Sequence, residues 1–180
     1  MAEQAKPAAL IIFGGRPGVG KTTIATALAS RTGGFHLRID SIESALKSAS
    51  PQVEASDAGY RAAYAVARDN LSDGRIVIAD SVNPLAITRK AWRDVASTAG
   101  AHALQVEIVC SNPGEHQRRV EARQSDIDGL VVPNWQTVQS RRYERWPDPD
   151  LVLDTATMPS DDCATLICER LESVTRAPHG

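Results

Sequence analysis

One stretch near the start of the chain combines three glycines, a lysine and a threonine in a spacing that suits phosphate binding. Residues 15–22 read Gly-Arg-Pro-Gly-Val-Gly-Lys-Thr, which matches G-x-x-x-x-G-K-T. Glycines let the backbone approach a phosphate closely, so that several N–H groups point into one concavity at the positive end of a helix. Lys21 adds a mobile charge for the β- and γ-phosphates, and the Thr22 hydroxyl is a ligand for Mg²⁺. We expect a nucleotide, ATP, to contact Gly15, Pro17, Gly18, Val19, Gly20, Lys21, Thr22 and Thr23.

Two aspartates follow apolar stretches further along the chain. Asp40 comes after residues 35–39, and Asp80 comes after residues 75–79. A carboxylate at Asp40 could accept the proton of a substrate hydroxyl or orient that hydroxyl toward the γ-phosphate, whereas the structural alternative is a helix cap. Asp80 could support the metal together with Thr22, or it could bind substrate. The structural alternative is that Asp80 is an acidic residue of a turn.

Three arginines, Arg118, Arg119 and Arg123, lie after the fourth apolar stretch. On a mobile flap they could close over the phosphates and neutralise charge in the transition state. Arg119 and Arg123 are one helical turn apart and are expected to share a face, with at least one of them acting in catalysis. The alternative is a solvated helix face on which the arginines pair with Glu115 and Glu121.

The residues after Asp80 bear on the type of reaction. Ser81 follows it, where motor-type ATPases generally place a glutamate that activates water, and the chain lacks the Asn-Lys-x-Asp signature of guanine-specific switches. Both differences favour transfer of a phosphoryl group to a bound acceptor over regulated hydrolysis.

Alternating strands and helices must position these side chains. We predict strands at 8–13, 35–39, 75–79, 103–110 and 151–154, and helices that begin at 22, 42, 57, 84, 113, 134 and 160. We predict that Ser41 caps the second helix and that the Asn-Pro pairs at 83–84 and 112–113 start two others. The helix that begins at 134 is predicted to reach 144. The alternation predicts an α/β fold with a five-stranded parallel sheet sandwiched by helices, and ligands at the carboxyl ends of its strands.

Length and charge limit the classes of protein. With 180 residues we expect one domain over 8–175, a disordered lead-in over 1–7 and a helical flap over about 113–145. The net charge of −2 disfavours nucleic acid as an obligate partner. The chain has no apolar run of membrane-spanning length and begins with a polar segment, so we expect a cytoplasmic protein.

The motifs also resemble those of known enzymes. The segment Arg38-Ile39-Asp40-Ser41-Ile42 is similar to the acceptor-site segment of chloramphenicol phosphotransferase. Residues 77–84, followed by Arg89 and Trp92, resemble the matching region of polynucleotide kinase, and residues 119–123 resemble the flap of gluconate kinase. From residue 10 to about 154 the chain resembles the P-loop small-molecule kinases, a superfamily that also contains zeta-toxin-like ATP-binding proteins.

The resemblance implies an ATP- and Mg²⁺-dependent kinase with a P-loop NTPase fold like that of nucleoside kinases. It implies Asp40 as the base, an arginine of the flap over the transferring phosphate, and substrate contacts from Asp40, Asp80, Asn83 and Arg89. Where polynucleotide kinase has a second acid and then an arginine, this chain has Ser41 and Ile42, which weakens a role in recognising a 3′-phosphate.

The function that we expect is transfer of the γ-phosphate of ATP to a hydroxyl of a small molecule, such as an antibiotic, a sugar or a nucleoside. Three alternatives remain open at this point. They are a polynucleotide 5′-hydroxyl kinase, an ATP-binding regulatory protein without an acceptor, and a toxin-like kinase that acts on cell-wall sugar nucleotides.

Overall fold

The computed structural model describes residues 8–49 and 55–176. The predicted lead-in over 1–7 lies outside these residues. The strands are β1 (Ala9–Gly14), β2 (Phe35–Arg38), β3 (Ile76–Asp80), β4 (His102–Val109) and β5 (Leu151–Asp154). The helices of the described residues are α1 (Lys21–Thr32), α2 (Ile39–Ala49), α3 (Ala55–Ser72), α4 (Ala86–Thr98), α5 (Pro113–Ala122), α6 (Trp135–Ser140) and α7 (Ser160–Arg176).

The five strands form one parallel sheet in the order β2-β3-β1-β4-β5. All six residues of β1, at the centre, are buried. A central parallel strand is covered on both faces, which explains the unbroken apolar run at this position in the sequence. The predicted α/β fold with a five-stranded parallel sheet is confirmed.

Alternate side chains of β1 enter two separate cores. Ile11 and Phe13 pack with residues of α1 and α7 on one face of the sheet. Leu10 and Ile12 pack with residues of α3 and α4, including Trp92, on the other face. Burial on both faces fixes the strand that leads directly into the glycine-rich loop. In the described residues, the structure has no helix both long enough and apolar enough to cross a bilayer.

The junction of β2 and α2 differs from the prediction. The helix begins at Ile39, directly after the strand, so Asp40 lies in its first turn and Ser41 is not its cap. A carboxylate in the first turn interacts favourably with the positive end of the helix. The prediction that Ser41 caps this helix is therefore wrong.

The two Asn-Pro pairs behave differently. Asn112 caps α5, with its side chain accepting a hydrogen bond from the Glu115 N–H, as predicted. Asn83 does not cap α4, which begins at Ala86. It is fully buried with φ of 50°, and its side-chain amide meets the Phe13 carbonyl oxygen at 3.4 Å. Its side-chain oxygen also accepts a hydrogen bond from the Thr88 hydroxyl. Because its side chain is engaged in these contacts, Asn83 does not cap the helix.

Two further helices end earlier than predicted. Helix α5 ends at Ala122, so Arg123 lies just beyond it and does not continue the helical face of Arg119. Helix α6 ends at Ser140 rather than at 144. Residues after Ser140 instead form backbone contacts with other segments, such as the hydrogen bond from the Glu144 N–H to the Pro84 carbonyl oxygen at 2.8 Å.

Candidate active site

The glycine-rich loop joins β1 to α1 and needs its glycines. Gly15, Gly18 and Gly20 have φ of 141°, 83° and 100°, which side chains rarely tolerate. A Cβ atom at Gly18 would lie 2.5 Å from Val120 Cγ2, and one at Gly15 would overlap the Ile108 carbonyl oxygen. Gly20 precedes α1 without a side-chain cap, which leaves the first N–H groups of the helix open to an anion.

Lys21 lies inside the curve of this loop. Its ammonium donates hydrogen bonds to the carbonyl oxygens of Gly15 at 2.8 Å and Arg16 at 3.0 Å. Burial lowers the pKa of Lys21 to about 8, although the charges of Asp80 and Asp40 act in the opposite direction. The positive charge therefore lies in a poorly solvated place, where it would interact strongly with a bound phosphate.

Asp80 ends β3 and is almost fully buried, with 4% of its surface exposed. Its carboxylate oxygen Oδ2 lies 3.2 Å from His36 Nε2 on the neighbouring strand β2. Burial acts to raise the pKa of Asp80, but the hydrogen bond with His36, the charge of Lys21 and the Thr22 hydroxyl outweigh it and lower that pKa. The group is thus a carboxylate at neutral pH.

The pairing of Asp80 with Thr22 bears on the predicted metal. A carboxylate and a hydroxyl are oxygen donors, which Mg²⁺ prefers, and Mg²⁺ usually keeps several waters and phosphate oxygens as its remaining ligands. No group of three or more His, Cys, Asp or Glu side chains that could hold a metal occurs in the part of the chain that the structure describes. The donor set fits a nucleotide-bound Mg²⁺.

Asp40 and Arg123 face each other across the site. Arg123 Nη2 lies 3.8 Å from Asp40 Oδ2, and both side chains are partly exposed. The structure thus brings together two residues that are 83 positions apart and that were predicted separately. Asp40 keeps a solvent-accessible carboxylate.

Arg119 is bound to protein groups. Its Nε donates to Glu115 Oε1 at 2.7 Å, and its Nη1 and Nη2 donate to the hydroxyl and carbonyl oxygens of Thr155 at 2.8 and 3.0 Å. The Thr155 hydroxyl donates in turn to the Val19 carbonyl oxygen at 2.8 Å. Arg119 therefore connects α5 to the glycine-rich loop through the residue that follows β5.

One pocket of about 1000 Å³ contains most of the predicted site. Its walls include residues of the glycine-rich loop together with Asp40, Asp80, Arg119 and Arg123. Residues that were not predicted from the sequence to belong to the site also line it, namely Arg38, Glu43, Tyr60 and the segment 130–133. No local motif marks these residues, because the packing of α2, α3 and the 113–145 segment creates their proximity.

Asn83 and Arg89 do not line this pocket. Arg89 is buried and donates hydrogen bonds to the carbonyl oxygens of Asn83, Pro84, Glu144 and Arg145 at 2.6 to 3.2 Å. Its guanidinium also lies over the rings of Tyr143 and Trp146, at 5.1 and 4.7 Å from their centroids. The structure gives these two residues a role in holding the chain, and their predicted contact with substrate has no support in its geometry.

The segment 113–145 is attached to the rest of the site at several points. Arg38 forms two hydrogen bonds with the Asp126 carboxylate, at 2.6 and 2.8 Å, and these lower the pKa of Asp126 to about 2. The Ser44 hydroxyl donates to the Asp128 carbonyl oxygen at 2.6 Å. Arg16 of the glycine-rich loop donates to the Val138 carbonyl oxygen at 2.6 Å. These contacts hold the segment against both α2 and the loop.

The fold is similar to that of several solved structures. APS kinase CysC of Mycobacterium tuberculosis, in complex with AMPPNP and APS, has a TM-score of 0.69 and 21% identity, over 92% of this chain and 98% of that one. A gluconokinase from Sinorhizobium meliloti 1021 has a TM-score of 0.63 and 16% identity, over 96% and 95%. Kti12 of Chaetomium thermophilum, in complex with ADP-AlF3, has a TM-score of 0.69 and 23% identity, over 93% and 100%.

At these identities the structural similarity establishes a shared fold. No curated protein matches the chain. A family model described as an AAA domain matches residues 10–143, which include the glycine-rich loop, Asp40, Asp80 and both candidate arginines. The protein therefore belongs to this AAA domain family of P-loop proteins, and its fold is that of the P-loop kinases.

Proposed function

We propose that the protein is an ATP- and Mg²⁺-dependent kinase that transfers the γ-phosphate of ATP to a hydroxyl of a small molecule. One observation carries the proposal: the phosphate-binding loop and the partly exposed carboxylate of Asp40 line the same pocket. A nucleotide on the loop would direct its terminal phosphate into the space that Asp40 also faces. Positioning and electrostatic stabilisation account for most of catalysis in such transfers.

In this proposal the loop amides and Lys21 hold the triphosphate, and Asp40 orients the acceptor hydroxyl and takes its proton. Thr22 and Asp80 would hold Mg²⁺, which neutralises charge on the phosphates when it is bound. His36 fixes the orientation of the Asp80 carboxylate through its hydrogen bond of 3.2 Å.

Of the two predicted catalytic arginines, Arg123 is the better candidate for contact with the transferring phosphate. Its one ion pair among the described residues is the long contact of 3.8 Å with Asp40. Arg119, in contrast, has each of its three guanidinium nitrogens in a hydrogen bond with Glu115 or Thr155. We assign Arg119 to positioning of the nucleotide-binding loop.

The relatives support a small acceptor. APS kinase and gluconokinase are both named for small-molecule substrates, and both share the fold of this chain over more than 90% of its length. We further propose that residues 8–175 form a single kinase domain and that residues 113–145 act as its flap, since this segment carries Arg123 and lines the pocket.

The Kti12 structure is compatible with a rival function as well as with a kinase. Its fold matches this chain with the same TM-score as the APS kinase complex, and its structure holds ADP-AlF3. The rival is a nucleotide-binding regulatory protein without an acceptor. It differs from a kinase in one measurable property, the dependence of ADP release on an added acceptor.

The test measures ADP release from Mg·ATP with a panel of hydroxylated antibiotics, sugars, nucleosides and a 5′-hydroxyl oligonucleotide. The proposal predicts that one class of small molecule raises the rate well above that without acceptor. Lys21→Met, which removes the ammonium from the loop, should abolish that stimulation. Stimulation by the oligonucleotide alone, or ATP binding with the same ADP release under all conditions, would contradict the proposal.

A further inference from the structure

Glu43 is a carboxylate of the pocket that has no role in the proposed reaction. It lies on α2, three residues after Asp40, and both side chains line the same pocket. Residues three apart on a helix lie on one face, with their Cβ atoms about 5–6 Å apart. Glu43 is therefore placed to meet an acceptor whose hydroxyl is held by Asp40.

The neighbouring helix leaves room for this side chain. Gly59 of α3 is buried, and a Cβ atom there would lie 2.5 Å from Glu43 Cγ and 3.3 Å from Oε1. Glycine inside a helix destabilises it by about 0.5–1 kcal/mol relative to alanine. Helix α3 thus has its smallest residue at the point where the Glu43 side chain passes into the pocket.

In the part of the chain that the structure describes, the Glu43 carboxylate forms no hydrogen bond or ion pair. The positive charges of Lys47 and Arg141 act on it to lower its pKa. Burial, followed by the charge of Asp40, raises the pKa of Glu43. A half-buried carboxylate without a protein partner can accept hydrogen bonds from a ligand or pair with a cation.

Further hydroxyl groups lie in the same pocket. The Ser81 hydroxyl, next to Asp80, is buried and interacts with the hydroxyl of Tyr60, one residue after Gly59 on α3. Both residues line the pocket. The acceptor side of the pocket thus offers oxygen atoms to a ligand that carries several donors.

We propose that Glu43 determines acceptor specificity, selecting small molecules that carry an amine or a second hydroxyl close to the hydroxyl held by Asp40. This inference rests on the proposed kinase function. The donor would bind the Glu43 carboxylate, whereas a phosphate or carboxylate in direct contact with Glu43 would be repelled by it and by Asp40, although Lys47 and Arg141 act in the opposite direction. The acceptor class is thus an amino alcohol, an amino sugar or a polyol rather than an anion.

The test uses matched acceptors on a common carbon frame, in the Mg·ATP assay and alongside the wider panel. One set is 6-amino-6-deoxyglucose, glucose and glucuronate; another is 1-amino-2-propanol, 1,2-propanediol and lactate. In wild-type protein the amino and hydroxy members should have kcat/KM about tenfold or more above that of the carboxylate member. Glu43→Lys should reverse this order, and Glu43→Gln should weaken the amino member selectively.

Glu169→Lys is the control, because it makes the same charge change at an exposed position of α7 and should leave the order unchanged. If wild-type protein prefers the carboxylate members, or if the Glu43 variants rank acceptors as wild type does, the inference is overturned while acceptor-dependent ADP release still supports a kinase. If neither the matched sets nor the wider panel stimulates ADP release, the proposed function fails, and this inference fails with it.

Discussion

At the scale of single residues, the site combines buried charges that are only partly compensated. Lys21 is the clearest case, because burial lowers its pKa to about 8 while two carboxylates act to raise it. The ammonium is therefore close to losing its proton under mildly alkaline conditions. Phosphates would restore the balance by adding negative charge next to it.

This balance predicts a pH dependence of nucleotide binding. Phosphates bind the charged form of Lys21, so the affinity for ATP should be constant between about pH 7 and 8 and should fall as the pH rises further, by at most about tenfold per pH unit. The measurement is the Kd of a fluorescent ATP analogue between pH 7 and 9.5.

Lys21→Met provides the control for this titration. It should bind the analogue weakly at every pH, because the titrating group has been removed. Affinity of the wild-type protein that stays flat to pH 9.5 would contradict the assignment of a lowered pKa to Lys21.

The residues of the glycine-rich loop are predictable from sequence because their spacing along the chain itself builds the loop. Glu43 and His36 were not predicted to belong to the site, since each reaches it through the packing of a different element. His36 contacts Asp80 only because β2 and β3 are neighbours in the sheet. Their register places His36 opposite Ile78 and Arg38 opposite Asp80, so His36 reaches Asp80 diagonally. No local pattern contains that information.

At the scale of elements, burial decides which of two identical sequence patterns becomes a cap. Asn112 is exposed and caps α5 as its Asn-Pro pair predicts. Asn83 has the same neighbour, but it is enclosed between β1 and α4, where its amide faces the Phe13 carbonyl oxygen. Tertiary hydrogen bonds thus override a local signal that is correct elsewhere in the same chain.

Arg89 holds α4 to the chain that follows the proposed flap. Replacing it by methionine, Arg89→Met, leaves the carbonyl oxygens of Asn83, Glu144 and Arg145 without this donor, and the free energy of unfolding should fall by at least about 3 kcal/mol. Urea unfolding followed by circular dichroism measures this change.

The matched variant is Arg93→Met on the same helix. Arg93 is exposed and its side chain donates one hydrogen bond, to Gln105 Oε1 at 2.9 Å, so the expected loss is less than about 1 kcal/mol. Normal stability of Arg89→Met, combined with a raised KM for the acceptor, would refute the structural role and restore the predicted contact with substrate.

At the scale of the whole molecule, the strand order gathers the site. Strands β2, β3 and β1 are consecutive in the sheet. Asp40 follows β2, Asp80 ends β3 and the glycine-rich loop follows β1, so all three lie at the same edge. Alternation of strands and helices was sufficient to predict this edge, because parallel strands connected by helices have their carboxyl ends together. The order of the strands and the contacts that attach residues 113–145 could not be predicted from the sequence and are seen only in the structure.

The central claim is that this edge brings an acceptor hydroxyl to Asp40 beside the terminal phosphate of ATP. Its most direct test is transfer of ³²P from γ-labelled ATP to the best acceptor of the panel, by wild-type protein, by Asp40→Asn and by Asp69→Asn, an exposed control on α3. We predict that Asp40→Asn lowers kcat by about 100-fold or more at an unchanged thermal midpoint, while Asp69→Asn transfers phosphate as wild type does. Transfer by Asp40→Asn at the wild-type rate would contradict the account.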